Sequence, residues 1–141
     1  MKEDEAAAEG LDDADYRALA DFRYALRRFT GFSEAKAAEV GLTPQQHQAL
    51  LAIRAAPADT ATVGFVAERL ILKPHSATGL IDRLEAIGLV ARAPSSEDRR
   101  RALLRLTDRA RALLASLSAT HREEIRRLQP LLADLLARLT E

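Results

Sequence analysis

Three consecutive arginines, Arg99, Arg100 and Arg101, follow the acidic pair Glu97 and Asp98 in the stretch SSEDRRRALLRLT, residues 95 to 107. A guanidinium stays charged, is planar, and offers donors in a fork that fits phosphate oxygens. Three of them in a row repel one another, and two carboxylates cannot neutralise all three. The run is therefore either a solvated turn or a contact prepared for a polyanion, and its surroundings decide between these readings.

Other chemistries find little footing. The chain has no cysteine, which rules out a disulfide framework and a thiol redox centre. Its histidines, His47, His75 and His121, show no ligand spacing and have no cysteine to assist them, so no metal is expected. There is no phosphate loop, no nucleophile elbow and no pair of carboxylates in an apolar setting, so neither an enzyme nor a bound cofactor is expected.

With 141 residues the chain makes one domain, or one domain with long flanking helices, and can bury a core without metal or disulfide. No apolar run approaches the roughly 20 residues that span a bilayer. The lack of a basic-then-apolar leader leads us to expect a cytoplasmic protein. The formal net charge is +0, yet the charge is unevenly spread. Residues 1–21 carry eight acids against Lys2 and Arg17, whereas residues 69–111 carry ten bases against five acids. A basic middle in a neutral whole suits a polyanion held at one face.

The elements that must carry that middle follow from periodicity and punctuation. Residues 1–10 are acidic, lack an apolar face and are expected to be disordered. Tyr16, Leu19, Phe22, Leu26 and Phe29 recur at helical spacing, predicting a helix from about Leu11 to Val40. Gly41 ends it. Thr43, Pro44 and Gln46 then have the spacing of a capping box with proline in the first turn, which starts a second helix, Pro44 to Ala55, with Leu50, Leu51 and Ile53 for burial. A short helix from Val63 to Leu70 buries Val63, Val66, Ala67 and Leu70. Pro74 opens another, to about Ile87, with Ala77, Leu80, Ile81, Leu84 and Ile87 on one side and Gly88 as its stop. Leu89–Ala93 and Ala102–Leu106 form a hairpin with a long tip. Thr107 caps a long helix that Pro130 is expected to interrupt, leaving LLADLLARL as a final short one.

The predicted fold is mainly α with a small β-hairpin wing, a winged helix-turn-helix flanked by N- and C-terminal dimerisation helices. Its parts are an acidic N-terminus (1–10), an N-terminal dimerisation helix (11–43), a DNA-binding winged helix-turn-helix (44–106) and C-terminal dimerisation helices (107–141). Leu131, Leu132, Leu135, Leu136 and Leu139 offer more apolar surface than so small a central domain can cover, which points to a homodimer.

The strings LTPQQHQALLAI (42–53), VAERLILKPHSATGLIDRLEAIGLV (66–90) and DRRRALLRLT (98–107) together resemble the MarR family of transcriptional regulators, from about Tyr16 to Leu139. The last string fits the family's wing signature through Asp98, Arg100, Leu106 and Thr107. The resemblance implies a homodimer on double-stranded DNA, probing successive major grooves of a pseudo-palindromic site, and a repressor that responds to a small-molecule effector. It implies a DNA-binding set of Lys73, His75, Ser76, Thr78 and Arg83 at the recognition helix and Asp98, Arg99, Arg100 and Arg101 on the wing. Arg100 would enter the minor groove, Asp98 would steady the wing, and Arg99 and Arg101 would touch phosphates.

Each assignment has a plainer counterpart. Ser76 or Thr78 could bond local backbone at the helix start, and Arg83 could pair with Asp82 or Glu85. Phe22, Tyr24, Phe29 and Phe32 read as core and dimer packing rather than a ligand box. The chain departs from the family pattern at Gly79, where a basic or larger polar residue is frequent, and at His47, where a large aromatic residue is frequent near the effector region. Gly79 and the neutral net charge motivate an alternative function, a winged-helix dimer that binds proteins without reading DNA sequence.

Overall fold

The computed structural model describes residues 10–94 and 102–140. Most of the acidic N-terminus and the wing residues Asp98, Arg99, Arg100 and Arg101 lie outside the described residues. The element order is α1 (Asp13–Glu39), α2 (Pro44–Ala55), α3 (Val63–Leu70), α4 (Pro74–Ala86), β1 (Val90–Pro94), β2 (Ala102–Leu106) and α5 (Asp108–Thr140). The chain divides into two compact units, Met1–Ser33 with Thr120–Glu141, and Glu34–Ala119.

The second unit is built as its punctuation requires. Gly41, at φ 80°, turns the chain out of α1 in a left-handed conformation that L side chains resist. Thr43 then caps α2: its Oγ1 accepts from the Gln46 amide at 3.1 Å while Gln46 Oε1 accepts from the Thr43 amide at 3.0 Å. Two amides that the first turn would leave without partners are thus satisfied. Thr62 caps α3 through a single such bond, its Oγ1 accepting from the Phe65 amide at 3.1 Å. These caps fix where α2 and α3 begin, and so the direction in which each presents its apolar side.

Those sides meet in one core. Leu50, Val66, Leu80, Ile81 and Leu84 are wholly or almost wholly buried, together with Leu89, Val90, Leu104 and Leu106 of the hairpin and Ala110, Leu114 and Leu117 of α5. Truncating a leucine in such a setting to alanine costs about 2–5 kcal/mol. Leu51, expected to be buried, is exposed. It lies one residue past Leu50 and so some way round the helix, on a side that the core does not reach. Ile87 is exposed as well, because α4 stops at Ala86 and Ile87 is its cap.

The hairpin is antiparallel, with Val90 opposite Leu106 and Arg92 opposite Leu104. Directly paired residues share a face. Arg92 therefore stands on the same side as Val90, Leu104 and Leu106, the side that packs on the helices. Its base is pinned: the Thr107 amide donates to Leu89 O at 3.1 Å and Thr107 Oγ1 donates to Gly88 O at 2.8 Å. Thr107 Oγ1 also accepts from the Ala110 amide at 3.3 Å, which makes Thr107 the cap expected for the long helix. Leu104 N donates to Ala61 O at 2.7 Å, so the segment before α3 fastens to β2 as well.

The first unit holds the remaining parts of α1 and α5. Ala18, Ala25 and Leu135 are buried there. His121 and Ser33 share a 2.7 Å hydrogen bond between Nε2 and Oγ, and the rings of Phe29 and Phe32 meet the imidazole edge-on at 5.9 and 5.6 Å. Phe29 and Phe32 therefore pack, as expected, but Tyr24 does not: it is exposed, with the Arg28 guanidinium 5.8 Å from its ring centre. Tyr16, Leu19 and Leu26 of the predicted stripe, and Leu131, Leu136 and Ile125 of α5, are likewise open to solvent in the single chain.

Pro130 does not interrupt α5, which runs unbroken from Asp108 to Thr140. The ring removes one amide and crowds the carbonyl four residues back. Leu128, Leu132, Leu135 and Leu139 nevertheless keep one helical phase across it, each at least partly buried, and this favours continuing the helix over ending it. The expected final short helix is the last part of α5.

Candidate nucleic-acid interface

The turn between α3 and α4 sets the geometry of the exposed surface. α3 ends on Ile71, a β-branched residue at φ 55° that is 92% exposed. The Leu72 amide donates to Ala67 O at 2.8 Å, closing the helix as a glycine-type stop would, and Leu72 then packs against the core. α4 starts directly afterwards. Its N-cap is Lys73, which makes no side-chain cap bond, and Pro74 occupies the first turn. The positive end of α4 is thus left without a capping carboxylate or hydroxyl and carries Lys73, an arrangement suited to anionic oxygens.

α4 buries Ala77, Leu80, Ile81 and Leu84 and turns His75, Ser76, Thr78, Asp82 and Arg83 outward. Lys73, His75, Ser76 and Arg83 are therefore all exposed at or along α4. Thr78 is at the same end, but its hydroxyl donates to Pro74 O at 3.0 Å, the local backbone bond that was the alternative for this residue. Its methyl and hydroxyl remain at the surface without a free donor.

Arg83 does not take the ion pair its neighbours could offer. Asp82 Oδ1 and Glu85 Oε1 instead accept from Arg92 Nη2 and Nη1 at 2.8 and 3.2 Å. Arg92, absent from the sequence-derived site, is thus the residue that ties the wing to α4. Its inward register position keeps the guanidinium partly covered, and two carboxylates one helical turn apart compensate that charge. The alternation Val90-Ala91-Arg92 holds the signal, since it puts an arginine where an apolar residue is expected. At the far end of α4, Arg109 Nη1 donates to Ile87 O at 3.1 Å, satisfying a carbonyl at the helix terminus. The four wing-tip residues Asp98, Arg99, Arg100 and Arg101 fall between the described ends of the two strands, at Pro94 and Ala102. Among the described residues no group of histidines and acids could hold a metal ion, and no helix is long and apolar enough to cross a membrane.

Three-helix core, helix-turn-helix and hairpin together define a winged helix, and the model of the MarR family matches it over residues 40–101. That match covers 62 of the 141 residues, and over them this chain is similar to the winged helix of the MarR family.

The same fold recurs in solved structures. MepR, described as a transcription regulator of the Staphylococcus aureus multidrug efflux pump MepA, is 22% identical, with a TM-score of 0.72 over 84% of this chain and 90% of that one. A MepR–DNA complex superposes with a TM-score of 0.70 at the same identity and coverage. AbsC of Streptomyces coelicolor, a MarR-family transcriptional regulator, is 22% identical with a TM-score of 0.68, covering 83% of this chain and 79% of that one. In sequence, the chain is 40% identical over 58 residues to an uncharacterized HTH-type transcriptional regulator, YfiV, of Bacillus subtilis. That alignment spans 41% of this chain and 36% of the relative, so it reaches only about a third of the relative's length.

Proposed function

We propose that this chain is a homodimeric transcriptional repressor that binds a pseudo-palindromic DNA site and responds to a small-molecule effector. The observation that carries the DNA reading is the α4 surface: an uncapped positive helix end with Lys73, His75 and Ser76 beside it, and Arg83 on the same exposed side. A wing carrying Arg99, Arg100 and Arg101 in its sequence is fastened alongside by Arg92. On this reading α4 enters the major groove and Arg100 the minor groove, with Asp98 steadying the tip and Arg99 and Arg101 on phosphates. The repulsion within the arginine run is then relieved by the phosphate backbone. Binding without sequence readout, as a protein-interaction module, is the competing outcome.

Fluorescence anisotropy with duplex DNA from the chain's own upstream region, at two salt concentrations, tests the proposal. Affinity should fall steeply with salt, with a log–log slope of about −0.9 per phosphate neutralised. Arg100→Ala should cut affinity at least about tenfold, in keeping with loss of a minor-groove guanidinium. Salt-independent binding, or none, sinks the DNA reading; survival of a protein partner's binding in Arg100→Ala would favour the module.

Dimerisation is supported by the apolar surface that α1 and α5 leave open in one chain, from Tyr16, Leu19 and Leu26 to Leu131 and Leu136. Light scattering at micromolar concentration should report twice the chain mass, and a stable monomer contradicts the reading. The effector reading is supported by a groove of about 320 Å³ between α2 and α5, lined by Leu51, Arg54, Arg111, Leu114, Ala115 and Ser118. A lining that combines Leu51, Leu114 and Ala115 with Arg54 and Arg111 suits an apolar carboxylate. The groove lies one turn beyond His47, and the exposed Leu51 is part of its lining. Calorimetry with an aromatic carboxylate, on the wild type and on Arg54→Ala, tests this.

A further inference from the structure

The outward side of α4 has a gap at its middle. Opposite the buried Ala77, Leu80, Ile81 and Leu84 stand His75, Gly79 and Arg83, and Gly79, the central one, brings no side chain. Side chains on a helix lean toward its N-terminus, so Arg83 reaches back over the preceding turn. Its Nη1 and Nη2 lie 3.6 and 4.0 Å from where a β-carbon on residue 79 would stand. The carboxylates that could draw Arg83 aside, Asp82 and Glu85, hold Arg92.

We infer that Gly79 is a specificity-setting position, one that seats the Arg83 guanidinium over the centre of the reading surface of α4 so that its fork meets a guanine edge. The inference rests on the DNA-binding reading above. An arginine anchored one turn later reaches that point only if residue 79 carries nothing longer than a β-carbon, since Nη1 lies 3.6 Å from where that carbon would stand. The planar fork matches the O6 and N7 acceptors that guanine shows in the major groove, a match lysine cannot make. Arg92 completes the device, because its two ion pairs occupy the acids that flank Arg83.

Selection of binding sites from a random duplex pool tests the inference, using the full-length wild type, Gly79→Ala, Gly79→Gln and Arg83→Lys, each checked by thermal melting. The wild type should enrich a motif containing a required guanine. Gly79→Ala should keep that guanine, since a β-carbon 3.6 Å from Nη1 is an ordinary contact. Gly79→Gln fills the seat and Arg83→Lys removes the fork, so both should lose roughly ten- to a hundredfold of the guanine preference while the rest of the motif stands. Melting temperatures of the Gly79 variants should be equal or higher, which separates lost readout from lost folding. A Gly79→Gln motif identical to that of the wild type overturns the inference, as does an Arg83→Lys variant weakened evenly at every base, the mark of a phosphate contact. A folded wild type that enriches no motif sinks the DNA reading itself, and this inference with it.

Discussion

Arg92 Nη2 lies 2.8 Å from Asp82 Oδ1, joining the first strand of the wing to the exposed helix α4. The pair is only partly shielded, with the Asp82 side chain 60% exposed, so its coupling is modest. A double-mutant cycle of Arg92→Met and Asp82→Asn, which keeps the arginine's apolar stem in shape, should give a coupling of about 0.5–1 kcal/mol in urea unfolding. A coupling indistinguishable from zero would mean that the hairpin register alone holds the wing in place.

Ile71 holds a left-handed conformation that costs a branched side chain about 1–2 kcal/mol. Being 92% exposed, it recovers nothing through burial. Ile71→Gly should therefore stabilise the protein by about 0.5–1 kcal/mol, after allowing for the extra freedom glycine gives the unfolded chain. Thermal unfolding at fixed protein concentration should show a midpoint a few degrees higher. A lower midpoint would show that the isoleucine contributes contacts beyond those of the single chain.

Pro130 sits inside a continuous helix, where proline is about 3 kcal/mol less favourable than alanine. Pro130→Ala should raise stability by about 1–3 kcal/mol, without loss of helical signal in circular dichroism. Unchanged stability would mean that the chain gains little from helix at this point.

Ser33 Oγ and His121 Nε2 are 2.7 Å apart, with Phe29 and Phe32 edge-on to the imidazole. Ser33→Ala removes that bond and should cost about 0.5–1.5 kcal/mol in denaturant titration. If it costs nothing, the Ser33 hydroxyl adds no net stability where it meets the imidazole.

Where local chemistry decides an element, the sequence made it readable. Thr43, Pro44 and Gln46 announce α2 because a capping box needs only residues three apart, and Gly88 announces the end of α4 because few other residues accept its φ of 76°. Where distant packing decides, reading along the chain fell short. Pro130 looked like a helix end because its cost is local, whereas the apolar phase that outweighs it runs through the flanking leucines. Leu51 looked like core because it is apolar, but which way α2 faces depends on α4 and the hairpin. Arg92 is not legible along the chain for the same reason. Its role exists only once strand register turns it inward and folding brings it within reach of Asp82 and Glu85. The seat that Gly79 leaves for Arg83 is likewise a matter of side-chain direction rather than spacing.

The bonds from Thr107 to Gly88 and Leu89 close the hairpin at its root, so Pro94 and Ala102, paired at the other end of the strands, stand on a fixed frame. For any segment that joins two fixed strand ends, length is a nearly free variable: each doubling adds only about 0.6 kcal/mol of closure entropy. Insertions, deletions and substitutions there can therefore accumulate in descendants of this chain with hardly any penalty to folding. The arginine run sits on the part of the molecule that natural variation can remodel fastest, whereas the frame beneath it must stay as it is.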